Sequence, residues 1–201
     1  KTSLIGQFGV GFYSAFMVAS HVDVLTRKAG EKEAWLWQSD GKGAFTIAPA
    51  ERETSGTTVT LHLKKDAKEF AEEARIRHII KTYSEHISFP VKLGDDTLNT
   101  AEALWTRPAK DITAEQYSAF YRHTSNAYDD PWHVMHNKVE GTLNHTSLLF
   151  VPTSQPFDLF EPERKSHVKL YVNRVYITET TKDLIPAYLR FLRGVVDSQD
   201  L

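Results

Sequence analysis

A glycine-rich segment close to the start of the chain, Gly6 to Phe12 with the sequence GQFGVGF, is the feature that constrains the fold most. Its glycines follow the spacing G-x-x-G-x-G, and the apolar run Phe12 to Ala19 that comes next predicts a short buried helix. A loop of this kind turns backbone N–H groups toward one point and suits an anion. The spacing is neither that of a dinucleotide fingerprint nor that of a P-loop. Taken alone, such a segment is more often a flexible turn.

Composition narrows the classes of protein and of partner. The 201 residues, 41% of them hydrophobic, are enough for one large domain or two small ones. With 24 Lys and Arg against 26 Asp and Glu, the net charge of -2 gives no field that would gather nucleic acid or a membrane surface. The chain has no Cys, which excludes disulfides and zinc-thiolate sites and fits the cytoplasm. Because the glycine loop opens the chain without a preceding strand, we expect a piece of a longer protein.

The first half predicts a sheet followed by a helix. Four short segments rich in β-branched and aromatic residues, separated by turn signals, predict an antiparallel meander: Val22 to Thr26, Ala34 to Gln38, Ala44 to Ile47 and Thr57 to Leu63. Asp66 and Glu69 resemble a capping box and predict one helix from about Ala67 to His86. An edge strand is expected at Phe89 to Leu93.

The second half predicts further strands and two helices. Residues 94–100, with the sequence GDDTLNT, are the only linker-like stretch, so we place a domain boundary there. Thr113 and Gln116 predict a helix cap. Strands are expected at Leu143 to Val151 and Val168 to Ile177, and a last helix at about Leu184 to Val196.

Aromatic and histidine residues give weaker signals. Trp105 and Tyr128 belong to a cluster of aromatics that fits either a client-binding surface or, more commonly, ordinary core. His133 and His136, three apart, would share a helix face, but no carboxylate stands at matching spacing, so no metal site is predicted. The basic pair Lys64 and Lys65 is expected to be a solvated strand end.

The whole chain resembles the heat-shock protein 90 family of chaperones, a branch of the gyrase, histidine-kinase and MutL ATPase superfamily. The lid motif of that family is similar to Gly6-Gln7-Phe8-Gly9-Val10-Gly11-Phe12-Tyr13-Ser14-Ala15-Phe16. Further matching segments follow in order: Ser55-Gly56-Thr57, Leu104-Trp105-Thr106-Arg107, Val139-Glu140-Gly141, Pro156 to Glu161, Val168 to Val172, Arg174 to Ile177 and Gly194 to Leu201. The short linker resembles bacterial or organellar members. Tyr128 stands where many eukaryotic members carry Trp.

This resemblance implies a fold and a domain division. Residues 1–93 would be the C-terminal part of an ATPase domain, a partial α/β sandwich of the gyrase, kinase and MutL type. Residues 94–100 would be a linker, and residues 101–201 would begin an α/β middle domain, so the fold class is mixed α+β and α/β.

The resemblance also implies a site. ATP with Mg²⁺ would be the cofactor, with its phosphates at Gly6, Gln7, Phe8, Gly9, Val10, Gly11 and Phe12 and its adenine end supported by Thr57. The general-base Glu, the magnesium-binding Asn and the Asp that reads adenine match positions before Lys1, and a middle-domain Arg would follow Leu201. No catalytic residue is therefore expected in the chain itself.

Three functions remain open. The parent protein would be a cytoplasmic, homodimeric, ATP-driven chaperone that binds unfolded or partly folded clients, with an organellar location as the variant. A second possibility is another ATPase of the same superfamily. A third is a module that binds clients or co-chaperones without nucleotide activity. The segment Pro156 to Glu161 favours the chaperone.

Overall fold

The structure is a computed structural model in which residues 9–156, 159–161, 166–181 and 184–198 are described. The chain divides into two compact units, residues 1–76 and residues 77–201. Both units combine antiparallel sheets with a few short helices. This confirms the mixed α+β class and is compatible with a partial α/β sandwich.

The first unit is built on a four-stranded sheet in the order β3-β2-β1-β4, with every neighbouring pair antiparallel. Its strands are β1 (Ala19–Arg27), β2 (Ala34–Ser39), β3 (Phe45–Ala50) and β4 (Gly56–Leu63). The predicted meander is correct for the first three strands but wrong for the fourth, because β4 pairs with β1 and not with β3. This pairing places β1 at the centre of the sheet, where Val22 is fully buried.

The helix after the glycine loop is present but not buried as predicted. A 3₁₀ helix at Val10–Ser14 continues directly into α1 (Ala15–Val18), and neither contains a buried residue. Only one side meets the sheet, through the aromatic rings of Phe12 and Phe16, while Met17 is 78% exposed. A short helix that lies flat on a sheet covers one stripe and leaves the opposite side outward.

The long helix predicted between Ala67 and His86 is two shorter pieces. A 3₁₀ helix at Lys65–Ala71 ends at Glu72, whose backbone is extended, and α2 (Glu73–Tyr83) follows. Glu69 does not act in a capping box; its carboxylate lies 3.1 Å from Arg75 Nε, across the break. The break lets Arg75 lie over the Phe70 ring, 5.6 Å from its centroid.

The second unit is built on a five-stranded sheet in the order β10-β9-β11-β8-β7, in which only β11 and β9 are parallel. Its strands are β7 (Pro131–Val139), β8 (His145–Pro152), β9 (His167–Val172), β10 (Val175–Thr178) and β11 (Arg193–Ser198). A two-residue hairpin pairs β5 (Lys92–Leu93) with β6 (Asp96–Thr97), so the expected edge strand is short. Helix α3 (Ala114–Ser125) begins with the predicted capping box of Thr113 and Gln116.

Two predictions in this unit are wrong. The expected last helix is a 3₁₀ turn at Ala187–Leu189 followed by the strand β11, whose Val195 is fully buried between β8 and β9. The single strand expected at Val168 to Ile177 is the hairpin β9–β10, because Asn173 and Arg174 have φ values of 50° and 66° and reverse the chain.

The stretch predicted as a linker is folded within the second unit. It contains the turn and second strand of the β5–β6 hairpin, and Asn99 is buried. Asn99 Oδ1 accepts the Val91 N–H at 2.8 Å, and its Nδ2 donates to Phe89 O at 2.9 Å. The domain limits of the parent protein therefore stay a prediction. In the described part of the chain, no helix has the length and apolar character needed to cross a membrane.

Candidate functional site

The described part of the glycine loop is an open turn at the start of a helix. Gly6, Gln7 and Phe8 lie outside the described residues. Gly9 has a φ of 66°, which favours glycine, and it precedes the 3₁₀ helix. A Cβ built on Gly11 would meet no atom within 4 Å. Packing of the described residues therefore does not require a glycine at position 11.

Phe12 fixes the end of this loop to the sheet. Its ring centroid lies 5.5 Å from that of Trp37 on β2, in an edge-to-face arrangement, and 6.4 Å from that of Phe16. Trp37 in turn stacks on Phe45 of β3 at 6.1 Å. Such edge and offset contacts are the favoured geometries of aromatic pairs. The loop is thus attached to one defined face of the first sheet.

Thr57 lies on that same face. Thr57 on β4 is paired with Thr26 on β1, and their hydroxyl oxygens are 2.8 Å apart. Trp37 is paired with Val24, two residues from Thr26, and side chains two apart on a strand share a face. The structure therefore brings Phe12 and Thr57 to one side of the sheet, although 45 positions separate them in the sequence.

The face that carries Phe12 and Thr57 is apolar and open in the described part of the chain. Its exposed large side chains include Trp35, Phe45, Ile47, Val59 and Leu61. Sheet pairing accounts for this placement, because Ile47 is opposite Trp37, and Val59 and Leu61 alternate with Thr57 along β4. The predicted strand at 57–63 is confirmed.

The opposite face of the sheet is polar around Asp23 and apolar at the paired residues Leu25 and Leu36. The Asp23 carboxylate accepts hydrogen bonds from Gln38 Nε2 at 2.8 Å and lies 2.8 Å from His62 Nε2 and 3.0 Å from His21 Nε2. The bond to His62, with a smaller contribution from Gln38, holds the pKa of Asp23 below its ordinary value. The cluster of Asp23, His21, His62 and Gln38 therefore lies on the face opposite to Phe12 and Thr57.

The two histidines considered as metal ligands, His133 and His136, do not form a metal site together. His133 and His136 are both in β7, so the expectation that they share a helix face is wrong, and a spacing of three puts them on opposite sides of the strand. His136 binds within the protein, with Nδ1 at 2.8 Å from the Tyr117 hydroxyl and Nε2 at 2.9 Å from Trp105 O. Among the described residues, no group of three His, Asp or Glu side chains can hold a metal ion.

The two candidate client-binding residues lie in different environments. Trp105 is only 1% exposed and donates its indole N–H to Asp197 Oδ2 at 2.8 Å, so it is a core residue. Tyr128, in contrast, is fully exposed. A client can contact Tyr128 without any change in the fold, whereas Trp105 becomes accessible only if the core opens.

The turn that carries Tyr128 is held firmly by its neighbours. Asp129 Oδ2 accepts from the backbone N–H and the hydroxyl of Ser154 at 3.3 and 3.2 Å. The Thr153 hydroxyl donates to Asp130 O at 2.6 Å. Trp132, at the start of β7, is also mostly exposed. Tyr128 on this turn and Trp132 at the start of β7 are therefore a pair of exposed aromatic residues close in sequence.

The position of Lys64 differs from the one predicted from the sequence. It was expected to be a solvated strand end, but its ammonium group binds Phe16 O and Met17 O at 2.8 and 3.1 Å. These carbonyls are 48 and 47 positions away in the chain. No local pattern predicts such a contact.

Comparison with known proteins gives a consistent result over the whole chain. The sequence model of the Hsp90 protein family matches residues 93–201. The chain is 77% identical over 198 residues to the chaperone protein HtpG of Roseobacter denitrificans, covering 98% of this chain and 32% of that protein. It is 57% identical over 204 residues to HtpG of Rhodospirillum rubrum, covering 99% of this chain and 33% of that protein.

A third relative, HtpG of Rickettsia massiliae, is 55% identical over 205 residues, which cover 98% of this chain and 33% of the relative. The chain thus spans about a third of the length of these curated relatives. Identities of this size across almost every residue, together with the family match, decide the assignment. The chain belongs to the Hsp90 protein family.

Proposed function

We propose that this chain supplies part of the ATP site of a molecular chaperone, with the phosphates at Gly6 to Phe12 and the adenine end near Thr57. The observation that carries this proposal is that Phe12 and Thr57 share one face of the first sheet. Both are exposed on that face, so a ligand can reach them.

The residues present fit a nucleotide with its phosphates at the loop. The first N–H groups of a helix have no acceptor within the helix, and those at Val10 and Gly11 open the 3₁₀ helix. Within the described ranges, no atom comes within 4 Å of a Cβ built on Gly11, which leaves room for an approaching group. The Thr57 hydroxyl can donate and accept, directly or through water. Mg²⁺, when bound with ATP, would neutralise phosphate charge.

Hydrolysis in this proposal depends on the rest of the parent protein. A positioned water, a base and charge stabilisation on the transferred phosphoryl group are all needed, and we place none of them on this chain. The isolated 201 residues are therefore expected neither to hydrolyse ATP nor to bind it tightly. In the parent protein, a homodimer in the cytoplasm, ATP would close a clamp around a client.

The Thr57 contact can be tested in a full-length setting. The experiment replaces the matching segment of the Roseobacter denitrificans chaperone with this chain and measures ATP binding by calorimetry. Thr57→Val is expected to raise the ATP dissociation constant about 3- to 10-fold, the effect of one lost hydrogen bond. Thr60→Val is the matched control, because Thr60 is on the same strand but the opposite face. Equal affinities for the two variants would contradict the assignment of Thr57.

A second function is favoured by the exposed aromatic pair Tyr128 and Trp132. We propose that this pair contacts unfolded clients, because large aromatic side chains on ordered backbone lose little freedom on binding. In the same exchanged protein, Tyr128→Ala should weaken suppression of client aggregation. Tyr188→Ala, which removes another exposed tyrosine, should leave it unchanged. The same loss from both variants would show that the effect is not specific to this turn.

A further inference from the structure

The C-terminal end of α1 runs directly into β1, and a single lysine from the far end of β4 binds its last carbonyl groups. Lys64 directly follows β4, and its backbone N–H donates to Val18 O at 2.9 Å. Its side-chain ammonium donates to the two preceding carbonyls, Phe16 O at 2.8 Å and Met17 O at 3.1 Å. The last three carbonyls of a four-residue helix are thus bound by a single residue.

This contact is suited to a positive charge. The carbonyls at a helix C-terminus carry partial negative charge and have no partner within the helix, so a lysine there is stabilising. The side chain is half-buried, and none of the ion pairs found among the described residues includes Lys64. Its charge is therefore directed to the helix end.

A second contact fixes the same helix from the other side. Gly41, in the turn between β2 and β3, has a φ of 74°, and a Cβ built on it would lie 2.7 Å from Phe16 Cδ1. Phe16 therefore rests directly against the backbone of this turn. Lys64 and Gly41 together leave α1 little freedom at its C-terminal end, while a Cβ built on Gly9 or Gly11 would meet no atom of the described residues within 4 Å.

We propose that Lys64 is a positioning residue for Gly9 to Phe12, the described end of the glycine loop. The 3₁₀ helix and α1 are continuous from Val10 to Val18, so fixing the C-terminal end sets the direction in which the backbone of Gly9 to Phe12 faces. The proposal rests on the function proposed above, because it assigns Lys64 to the same nucleotide site. Lys64 touches no nucleotide atom in this account and acts only through α1.

The first test is made on the 201-residue chain without nucleotide. Hydrogen exchange is measured at the Ala19 amide, which donates to Ala15 O and closes α1. Lys64→Met is expected to speed exchange about tenfold, the effect of losing hydrogen bonds to a charged group. Lys65→Met is the matched control, because Lys65 is the adjacent lysine and is exposed. Lys64→Arg, which keeps a charged donor, should restore protection.

The second test uses the full-length protein with the exchanged segment. Lys64→Met should raise the ATP dissociation constant about tenfold, while Lys65→Met and Lys64→Arg leave it close to the unsubstituted value. Unchanged exchange at Ala19, or unchanged ATP affinity, in Lys64→Met would overturn the proposal. If the unsubstituted protein binds no ATP, the proposed function fails instead, and the exchange measurement still decides whether Lys64 holds the helix.

Discussion

Gly194 has the tightest backbone environment among the glycines of the second sheet. It lies in β11, between β8 and β9, with a φ of 125°. A Cβ at this position would overlap the carbonyl oxygen of Leu148 on β8. Glycine is required here both by its backbone conformation and by the close approach of the neighbouring strand.

Replacing this glycine should destabilise the second unit. Gly194→Ala is expected to lower the free energy of unfolding by more than about 3 kcal/mol, because strain and overlap with a central strand add. Gly141→Ala is the control, since a Cβ there meets nothing within 4 Å. Urea unfolding of both variants measures the difference, and equal stabilities would show that β11 shifts to accommodate the methyl group.

Among the helices and strands, short sequence patterns correctly predict the features that depend only on neighbouring residues. The cap of α3 needs only Thr113 and Gln116, three residues apart, and it was predicted correctly. The strand β11 was predicted as a helix because its apolar residues lack a clear period. Its true structure is set by pairing with β8 and β9, which are distant in sequence. The pairing of β4 with β1 was missed for the same reason.

The candidate site shows the same division between local and distant information. The glycine spacing alone indicates a turn that suits an anion, and the assignment of the loop and of Thr57 to ATP comes from the resemblance to the family. Their common sheet face follows from strand register, which the motifs do not contain. The exposure of Tyr128 and the burial of Trp105 also depend on tertiary packing, since both belong to the same aromatic-rich stretch of the sequence.

One buried carboxylate connects three elements of the second unit. Asp197 on β11 accepts the Trp105 indole N–H at 2.8 Å through Oδ2 and the Arg174 backbone N–H at 3.3 Å through Oδ1. Arg174 also donates through its guanidinium to the Ser88 and Thr106 hydroxyls at 3.1 and 3.2 Å. Asp197 therefore links β11, the β9–β10 turn and the 3₁₀ helix that carries Trp105.

Removing the Asp197 carboxylate should lower the stability of the second unit. Asp197→Ala leaves the buried indole N–H of Trp105 and the half-buried backbone N–H of Arg174 without their acceptor, and we expect a loss of about 2–4 kcal/mol in the free energy of unfolding. Asp95→Ala removes an exposed carboxylate and should change stability by less than about 0.5 kcal/mol. Chemical unfolding curves of the two variants compare them directly. Similar losses would contradict the linking role of Asp197.

At the scale of the whole molecule, the chain forms two compact units that divide between Ile76 and Arg77, within α2. The sequence places a boundary further along, at residues 94–100, because Gly and Asp there are typical of linkers. That stretch instead folds through long-range bonds of Asn99, which composition does not reveal. The limits 1–93 and 101–201 concern the parent protein and remain predictions.

The stability of the second unit should depend on pH through His86. Its ring packs against Trp105 at 4.7 Å and against Tyr171 at 5.8 Å, and its Nδ1 donates to Glu102 O at 2.8 Å. Burial lowers the pKa of His86 below 6.5, against the smaller opposing effects of the Glu102 carbonyl and the Glu85 charge. The folded state then binds fewer protons than the unfolded state below about pH 6.5.

The contribution of neutral His86 to the free energy of unfolding is therefore fully present above about pH 6.5. It falls as the pH drops below that value, by at most about 1.4 kcal/mol per pH unit. This loss of stability is measured by urea unfolding at pH 7.5, 6 and 5, followed by tryptophan fluorescence. Trp35 and Trp37 are replaced by Phe, so that the remaining tryptophans, Trp105 and Trp132, report on the second unit. His86→Gln should flatten the pH dependence, and His133→Gln, an exposed control, should not. A pH dependence unchanged by His86→Gln would refute this assignment.

In the proposed ATP site, the backbone at Gly11 faces the phosphates of the nucleotide. A methyl group at Gly11 meets no atom of the described chain, so it should obstruct the ligand without disturbing the fold. The measurement is ATP affinity by calorimetry in the Roseobacter denitrificans protein carrying this chain, with and without Gly11→Ala. We predict binding that weakens about tenfold or more in the variant at an unchanged melting temperature. Equal affinity in both proteins would contradict the claim.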